Sequence, residues 1–198
     1  MPPEPSPALP SHLPVTEAIP DLQRALAGSH AVLTAPPGSG KTTIVPLALL
    51  DAPWLAGRRI LMLEPRRIAA RGAAHRMAGL LRQRVGEQVG YRIRFDSKVS
   101  GATRVEVVTE GILTRRLQRD PALEDIGLVI FDEFHERNLH ADLGLALCLD
   151  AAAVLREEFG VGRHVAHDSC RAGGRTCGAG SAAGHRAGSC ATSGRAHG

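Results

Sequence analysis

The sequence predicts an α/β domain with a mostly parallel sheet and helices on both faces. Apolar runs at 31–34, 59–63, 105–109 and 128–131 fit buried strands, and the stretches 42–50, 68–81, 112–117 and 141–157 fit helices. Strand followed by helix, repeated along the chain, builds parallel pairs that need cover on both faces. A glycine-rich segment follows the first run and an acidic one follows the last, and in such sheets ligands sit beyond the carboxyl ends of strands. At 198 residues the chain can fold one such domain with a real core, but hardly two.

Residues 1–20 hold seven of the 13 prolines, so an extended or irregular leader is expected, with the folded domain spanning 21–158. The run at 31–34 leads into Ala35-Pro36-Pro37-Gly38-Ser39-Gly40-Lys41-Thr42-Thr43. A triphosphate needs backbone N–H groups aimed at its oxygens, a cation on the β and γ phosphates, and a hydroxyl that helps hold Mg²⁺. Gly38, Ser39 and Gly40 are small enough for that close approach, Lys41 supplies the charge and Thr42 the hydroxyl. The helix beginning near Lys41 points its positive end at the same place. Ala35 departs from the general pattern, which has Gly six residues before the Lys.

The second strand, 59–63, runs into Glu64-Pro65-Arg66-Arg67 and a helix. Tyr91-Arg92-Ile93-Arg94-Phe95 alternates apolar with cationic residues, as in a strand with one buried and one basic face, and places Tyr91 and Phe95 in the core. Only three aromatics precede Phe131, which gives little support to a base-stacking platform. Thr109-Glu110-Gly111 joins the strand at 105–109 to the next helix. The last strand, 128–131, delivers Asp132 and Glu133 to the same sheet edge as the glycine-rich loop, where Asp132 can hold Mg²⁺ through water and Glu133 can polarise an attacking water. The helix at 141–157 is apolar nearly all round, so it is expected to be buried or to meet another domain, with Cys148 a small core residue.

From Gly160 onward the texture changes. The last 39 residues contain no Leu, Ile, Met, Phe, Tyr, Trp or Lys, but ten Gly, five Arg, four His and three Cys, so 159–198 is expected to be a disordered tail. Its His164, His167, Cys170, Cys177, His185 and Cys190 match no paired zinc-ligand spacing. Net charge is +4, carried mostly by Arg, which permits a phosphate-rich partner. No stretch approaches ~20 uninterrupted apolar residues and the start lacks a signal-peptide layout, so a cytoplasmic protein without a membrane partner is expected.

Five segments, in order, resemble the motifs of the DEAH branch of superfamily 2 helicases, and particularly its bacterial HrpB-type ATP-dependent RNA helicases. They are T-A-P-P-G-S-G-K-T-T at 34–43, L-E-P-R-R-I-A-A-R at 63–71, G-Y-R-I-R-F at 90–95, V-T-E-G-I-L-T-R at 108–115 and F-D-E-F-H-E-R at 131–137. The resemblance runs from about residue 13 to about 155. It makes Ala35 ordinary, since this branch commonly starts its loop without that Gly, and Phe134 looks like the HrpB-type variant of the branch's Ala.

The resemblance implies a RecA-like fold that binds ATP and Mg²⁺ through Gly38, Ser39, Gly40, Lys41, Thr42 and Thr43. It implies that Thr42 and Asp132 serve the metal, that Glu133 serves the water, and that His135 links the nucleotide site to nucleic acid and to a partner domain. Arg66 and Arg67, with Thr109, Glu110 and Gly111, look like the loops that grip the backbone of single-stranded RNA. Guanidinium forks suit phosphate, and a helix start near Gly111 offers N–H groups to another phosphate. The preference for RNA over DNA, and for ATP, is inherited from the resemblance.

A superfamily 2 motor also has a second RecA-like domain that supplies arginines to the cleft. Beyond Glu158 this chain shows no S-A-T segment, and no Q-R-x-G-R-x-G-R motif occurs. Unwinding is therefore not expected of these residues alone, and hydrolysis should be very slow without an arginine finger, which is worth about 10³ to 10⁵ in rate. The composition of the tail is what GC-rich coding DNA yields out of frame, and the expectation is a truncated or frameshifted helicase whose authentic sequence ends between 155 and 162. The alternative is a single-domain module that binds nucleotide and RNA without turnover.

Overall fold

A computed structural model of the chain describes residues 10, 13–28, 30–134, 139–155, 163–169 and 179–181. One eight-stranded sheet organises them, built from β1 (Ala31–Ala35), β2 (Arg59–Leu63), β3 (Val89–Ile93), β4 (Asp96–Lys98), β5 (Val105–Val108), β6 (Ile126–Phe131), β7 (Arg163–Ser169) and β8 (Ala179–Ser181) in the spatial order β4-β3-β5-β2-β6-β7-β1-β8. The six central strands pair in parallel, and the short edge strands β4 and β8 run antiparallel to their neighbours. The helices are α1 (Ile19–Gly28), α2 (Lys41–Ala48), α3 (Arg67–Leu80), α4 (Glu110–Arg119) and α5 (Leu139–Leu155).

Successive side chains of a strand face opposite ways, so strands covered on both faces must be apolar at every position. Ile60, Met62, Leu128 and Ile130 join one core with Leu22 and Leu26 of α1, Ile44 of α2, and Ala74 and Met77 of α3. Their neighbours Leu61, Leu63, Val129 and Phe131 face the other way, against Leu113 and Leu117 of α4 and against Ala141 and Cys148 of α5. That double cover is why 59–63 and 128–131 read as unbroken apolar runs. At roughly 1.5–3 kcal/mol for each large side chain buried, these two layers hold the strand ends in place.

Three expectations need correcting. The leader is not wholly irregular: Pro14–Ala18 is a short 3-10 helix with Val15 buried, and α1 begins at Ile19. A proline is tolerated in the first turn of a helix because no intrahelical bond is lost there, and Pro14 and Pro20 both sit at such starts. Phe95 is not core. It lies at the tip of the two-residue β3–β4 hairpin at φ 67° and is 88% exposed, with the Arg94 guanidinium 4.7 Å from its ring centre, whereas Tyr91 is buried as expected. For the apolar α5, expected to be buried or to meet another domain, the structure has Cys148 buried and Leu139, Leu143, Leu147 and Leu149 exposed.

Within the segment expected to lack structure, 163–169 forms β7 between β6 and β1, and 179–181 forms β8 beside β1. Composition measured only how little apolar surface the tail could bury. It did not register that the facing edges of β1 and β6 offer rows of backbone donors and acceptors, which any proline-free segment can satisfy.

Candidate functional site

The loop after β1 turns on two glycines. Gly38 has φ 76° and Gly40, the residue that opens α2, has φ 93°, both in the left-handed region that a side chain disfavours. At Gly40 there is also no room, because a Cβ would lie 2.9 Å from Leu13 Cδ1. Leu13 and Val15 therefore roof the loop, and the Val15 N–H donates to the Ser39 carbonyl at 3.3 Å. Ser39 is 1% exposed and its hydroxyl has no hydrogen-bond partner. Lys41 is buried, and its ammonium folds back over the loop to donate to the Ala35 carbonyl at 3.4 Å. A buried ammonium on so long a bond and a hydroxyl without a partner fit a bound polyphosphate.

Three carboxylates gather at the ends of β6 and β2, beyond β7 from the loop. Asp132 continues β6, and its N–H donates to the Leu63 carbonyl at 2.9 Å; Glu64 continues β2, and its N–H donates to the Val108 carbonyl at 2.9 Å. Both side chains are buried. Asp132 Oδ1 accepts the N–H of Glu133, which adopts φ 50°, a conformation that costs a non-glycine residue of order 1–2 kcal/mol. That local turn resolves the alternation problem: two adjacent residues of an ideal strand would face opposite sides, but the chain has left strand geometry at Glu133.

Burial first, then the charges of Asp132 and Glu133, push the Glu64 carboxyl up to about 7, against the pull of the Arg66 backbone N–H that donates to it. Crowded carboxylates beside Thr42 suit a divalent cation. Among the described residues no three His, Cys, Asp or Glu side chains form a ready-made metal cage. Mg²⁺ does not require one, since it keeps several waters and takes phosphate oxygens alongside one or two carboxylates.

A cleft of about 490 Å³ brings these parts together, lined by Thr42, Thr43, Glu64, Arg66, Arg76 and Glu133 among others. Arg66 thus shares a wall with the loop and the acidic turn. Arg67 faces a neighbouring cleft of about 840 Å³ with Arg71, Ile68 and Ile93, and donates to the Arg94 carbonyl at 3.1 Å. Thr109 stands at the start of α4, no side chain caps that end, and Gly111 is exposed on its first turn. Because β5 neighbours β2, the Thr109 turn and the Glu64 turn leave the sheet side by side. His135 lies outside the described residues.

The DEAD/DEAH box helicase family matches residues 16–143. The chain belongs to this family. It is 53% identical over 150 residues to the ATP-dependent RNA helicase HrpB of Escherichia coli K12, covering 75% of this chain and 18% of that protein. The ATP-dependent RNA helicase HrpA of Borreliella burgdorferi is 34% identical over 148 residues, covering 74% of this chain and 18% of its own length. Crystal structures of E. coli HrpB superpose with TM-scores of 0.75 and 0.76 at 48% and 47% identity, covering 81% and 84% of this chain and 20% of each HrpB chain. The mostly parallel, helix-flanked sheet of this helicase domain is thus the HrpB RecA-like fold, and the chain spans about a fifth of the length of these relatives. No helix among the described residues is long and apolar enough to cross a membrane.

Several residues of the helicase domain that matter here carried no separate signal in the sequence. Leu13 and Val15 sit in a proline-rich stretch, and only contact with Gly40 gives them a role. Arg76 sits on a helix already rich in arginine, and Glu64 was read as part of an arginine loop, with nothing to show that it is buried beside Asp132.

Proposed function

We propose that this chain is the first RecA-like domain of an ATP-dependent RNA helicase, taking Mg²⁺·ATP in the cleft between the glycine-rich loop and the acidic turn, and single-stranded RNA along the adjacent arginine-bearing edge. The observation that carries this reading is the single cleft shared by Thr42, Thr43 and Glu133 with Arg66. The loop of Gly38, Ser39, Gly40, Thr42 and Thr43 surrounds the phosphates, and Lys41 exchanges the Ala35 carbonyl for phosphate oxygens. Thr42 offers a hydroxyl and Asp132 a carboxylate to Mg²⁺, which when bound offsets charge on the phosphates. Glu133 lines the cleft, where it would orient and deprotonate an attacking water, and His135, outside the described residues, keeps the role that the family resemblance implies, a link between nucleotide and RNA. Arg66 and Arg67, with the Thr109-Glu110-Gly111 turn, hold RNA phosphates, which fixes register without reading sequence.

Strand movement requires a second RecA-like domain, whose arginines would complete the cleft. For the 198 residues by themselves, the second reading is nucleotide and RNA binding with negligible turnover, favoured by the chain's matching about a fifth of HrpB. A cytoplasmic location accords with both. Hydrogen exchange with and without Mg²⁺·ATP tests the site: the amides of 38–43 and of the turn at 132–133 become protected. Protection elsewhere, with those amides unchanged, overturns it.

A further inference from the structure

The hairpin of β3 and β4 stands against α3 at two points. Arg67, the first residue of α3, donates to the Arg94 carbonyl on the hairpin's two-residue tip at 3.1 Å. One turn along the same helix face, the Arg71 guanidinium lies 3.6 Å from the carboxylate of Asp96, which opens β4. The same Asp96 oxygen accepts the Tyr91 hydroxyl at 2.9 Å, and Tyr91 is fully buried, with the Arg71 guanidinium 5.9 Å from its ring centre. Tyr91 is held in turn by the parallel pairing of β3 with β5. Three residue pairs are all that join β4 to β3, and a two-stranded ribbon is marginal by itself. One carboxylate oxygen therefore ties this short edge strand both to the core and to the helix that follows the arginine turn.

We propose that Asp96 is a positioning residue for the RNA edge: it fixes the hairpin that carries the Arg94 carbonyl, and that carbonyl sets the direction of the Arg67 guanidinium. This rests on the reading that Arg67 takes an RNA phosphate. A guanidinium carries its donors in a planar fork, so one bond to a fixed carbonyl orients the remaining donors over the cleft that Arg67 shares with Arg66 and Arg71. Without a fixed carbonyl the long side chain samples many rotamers, and a phosphate contact must then order it at a loss in affinity. The charge of Asp96 by itself works the other way, because a carboxylate among Arg67, Arg71 and Arg94 weakens the field that attracts a phosphate backbone. Positioning and charge therefore predict opposite signs when Asp96 is removed.

The test uses the whole chain and measures the Kd of a labelled single-stranded RNA for the parent, Asp96→Ala, Asp96→Asn, Arg67→Ala and the double variant Asp96→Ala/Arg67→Ala, with the Kd of Mg²⁺·ATP and the melting point of each. Asp96→Ala should weaken RNA binding about threefold or more while the Kd of Mg²⁺·ATP stays at the parent's value. In the Arg67→Ala background the same change should cause no further loss, because the side chain it acts through is gone. Asp96→Asn keeps an oxygen for the Tyr91 hydroxyl and loses the charge that holds Arg71, so its loss is the smaller of the two. A merely structural Asp96 would weaken both ligands together, and the losses of Asp96→Ala and Arg67→Ala would add. The inference is overturned by that additivity, or by unchanged or tighter RNA binding in Asp96→Ala. Should Asp96→Ala fail to fold, Asp96→Asn carries the same cycle and the same outcomes decide. If Arg67→Ala binds RNA as tightly as the parent, the reading that this edge takes RNA falls, and the inference with it.

Discussion

Glu64 and Asp132 end neighbouring parallel strands, each one residue past a paired position, Leu63 opposite Phe131, so two buried carboxylates leave the sheet together. Their repulsion, added to burial, is what a ligand-free domain must carry at neutral pH.

The stability of the ligand-free chain should therefore fall as pH rises between about 4.5 and about 7. A carboxyl whose pKa is raised on folding binds its proton more tightly in the folded state, so its favourable contribution is complete below the unfolded value and is lost as pH climbs through the folded one. The loss is on the order of 3 kcal/mol, given 1.36 kcal/mol per unit. Denaturant unfolding at pH 5 and pH 8 measures it, and Glu64→Gln should flatten the difference between the two.

Glu106 of β5 is fully buried and pairs with Arg92 at 2.9 Å and Arg116 at 3.1 Å, while Arg116 also holds Asp125 just ahead of β6. Removing the carboxylate by Glu106→Ala leaves two cations facing the vacated space. The expected loss is about 2–3 kcal/mol, below the ~3–5 typical of a wholly buried pair because the Arg92 side chain is 44% exposed. Urea unfolding reads the loss directly, and an unchanged midpoint would show that the network contributes nothing net.

Gly40→Ala combines an unfavourable φ with a collision against Leu13, so it should destabilise by about 1–3 kcal/mol and weaken nucleotide binding as well. Thermal melting and an ATP titration of one sample check both effects. Gly111→Ala, at an exposed helical position with open space around it, should raise the melting point by about 2–4 °C.

Arg66→Ala and Arg67→Ala should each weaken RNA binding by a similar factor across unrelated sequences and lower the slope of log Kd against log salt by about one, the mark of a lost phosphate contact. A sequence-dependent loss with an unchanged salt slope would point to base contacts instead.

The strand-helix alternation and the two motif-bearing turns were legible because strands covered on both faces need unbroken apolar runs, and because phosphate binding tolerates few residue types at Gly38, Gly40, Lys41 and Thr42. Phe95 was misplaced because alternation marks a strand but not where it stops, and the hairpin turned two residues past Ile93. β7 escaped notice because main-chain pairing asks little of side chains. The burial of Glu64 was invisible in sequence, since it depends on β6 lying next to β2, which strand order alone decides.

The central claim is that Lys41 and the loop around it hold a nucleotide, and titration of labelled ATP with Mg²⁺ into the parent chain and into Lys41→Ala tests it most directly. Saturable binding of one nucleotide by the parent, weakened about 10-fold or more in the variant at an unchanged melting point, is the predicted result, given the ~1.5–3 kcal/mol of a charge-assisted contact. Equal binding by the two chains would contradict it.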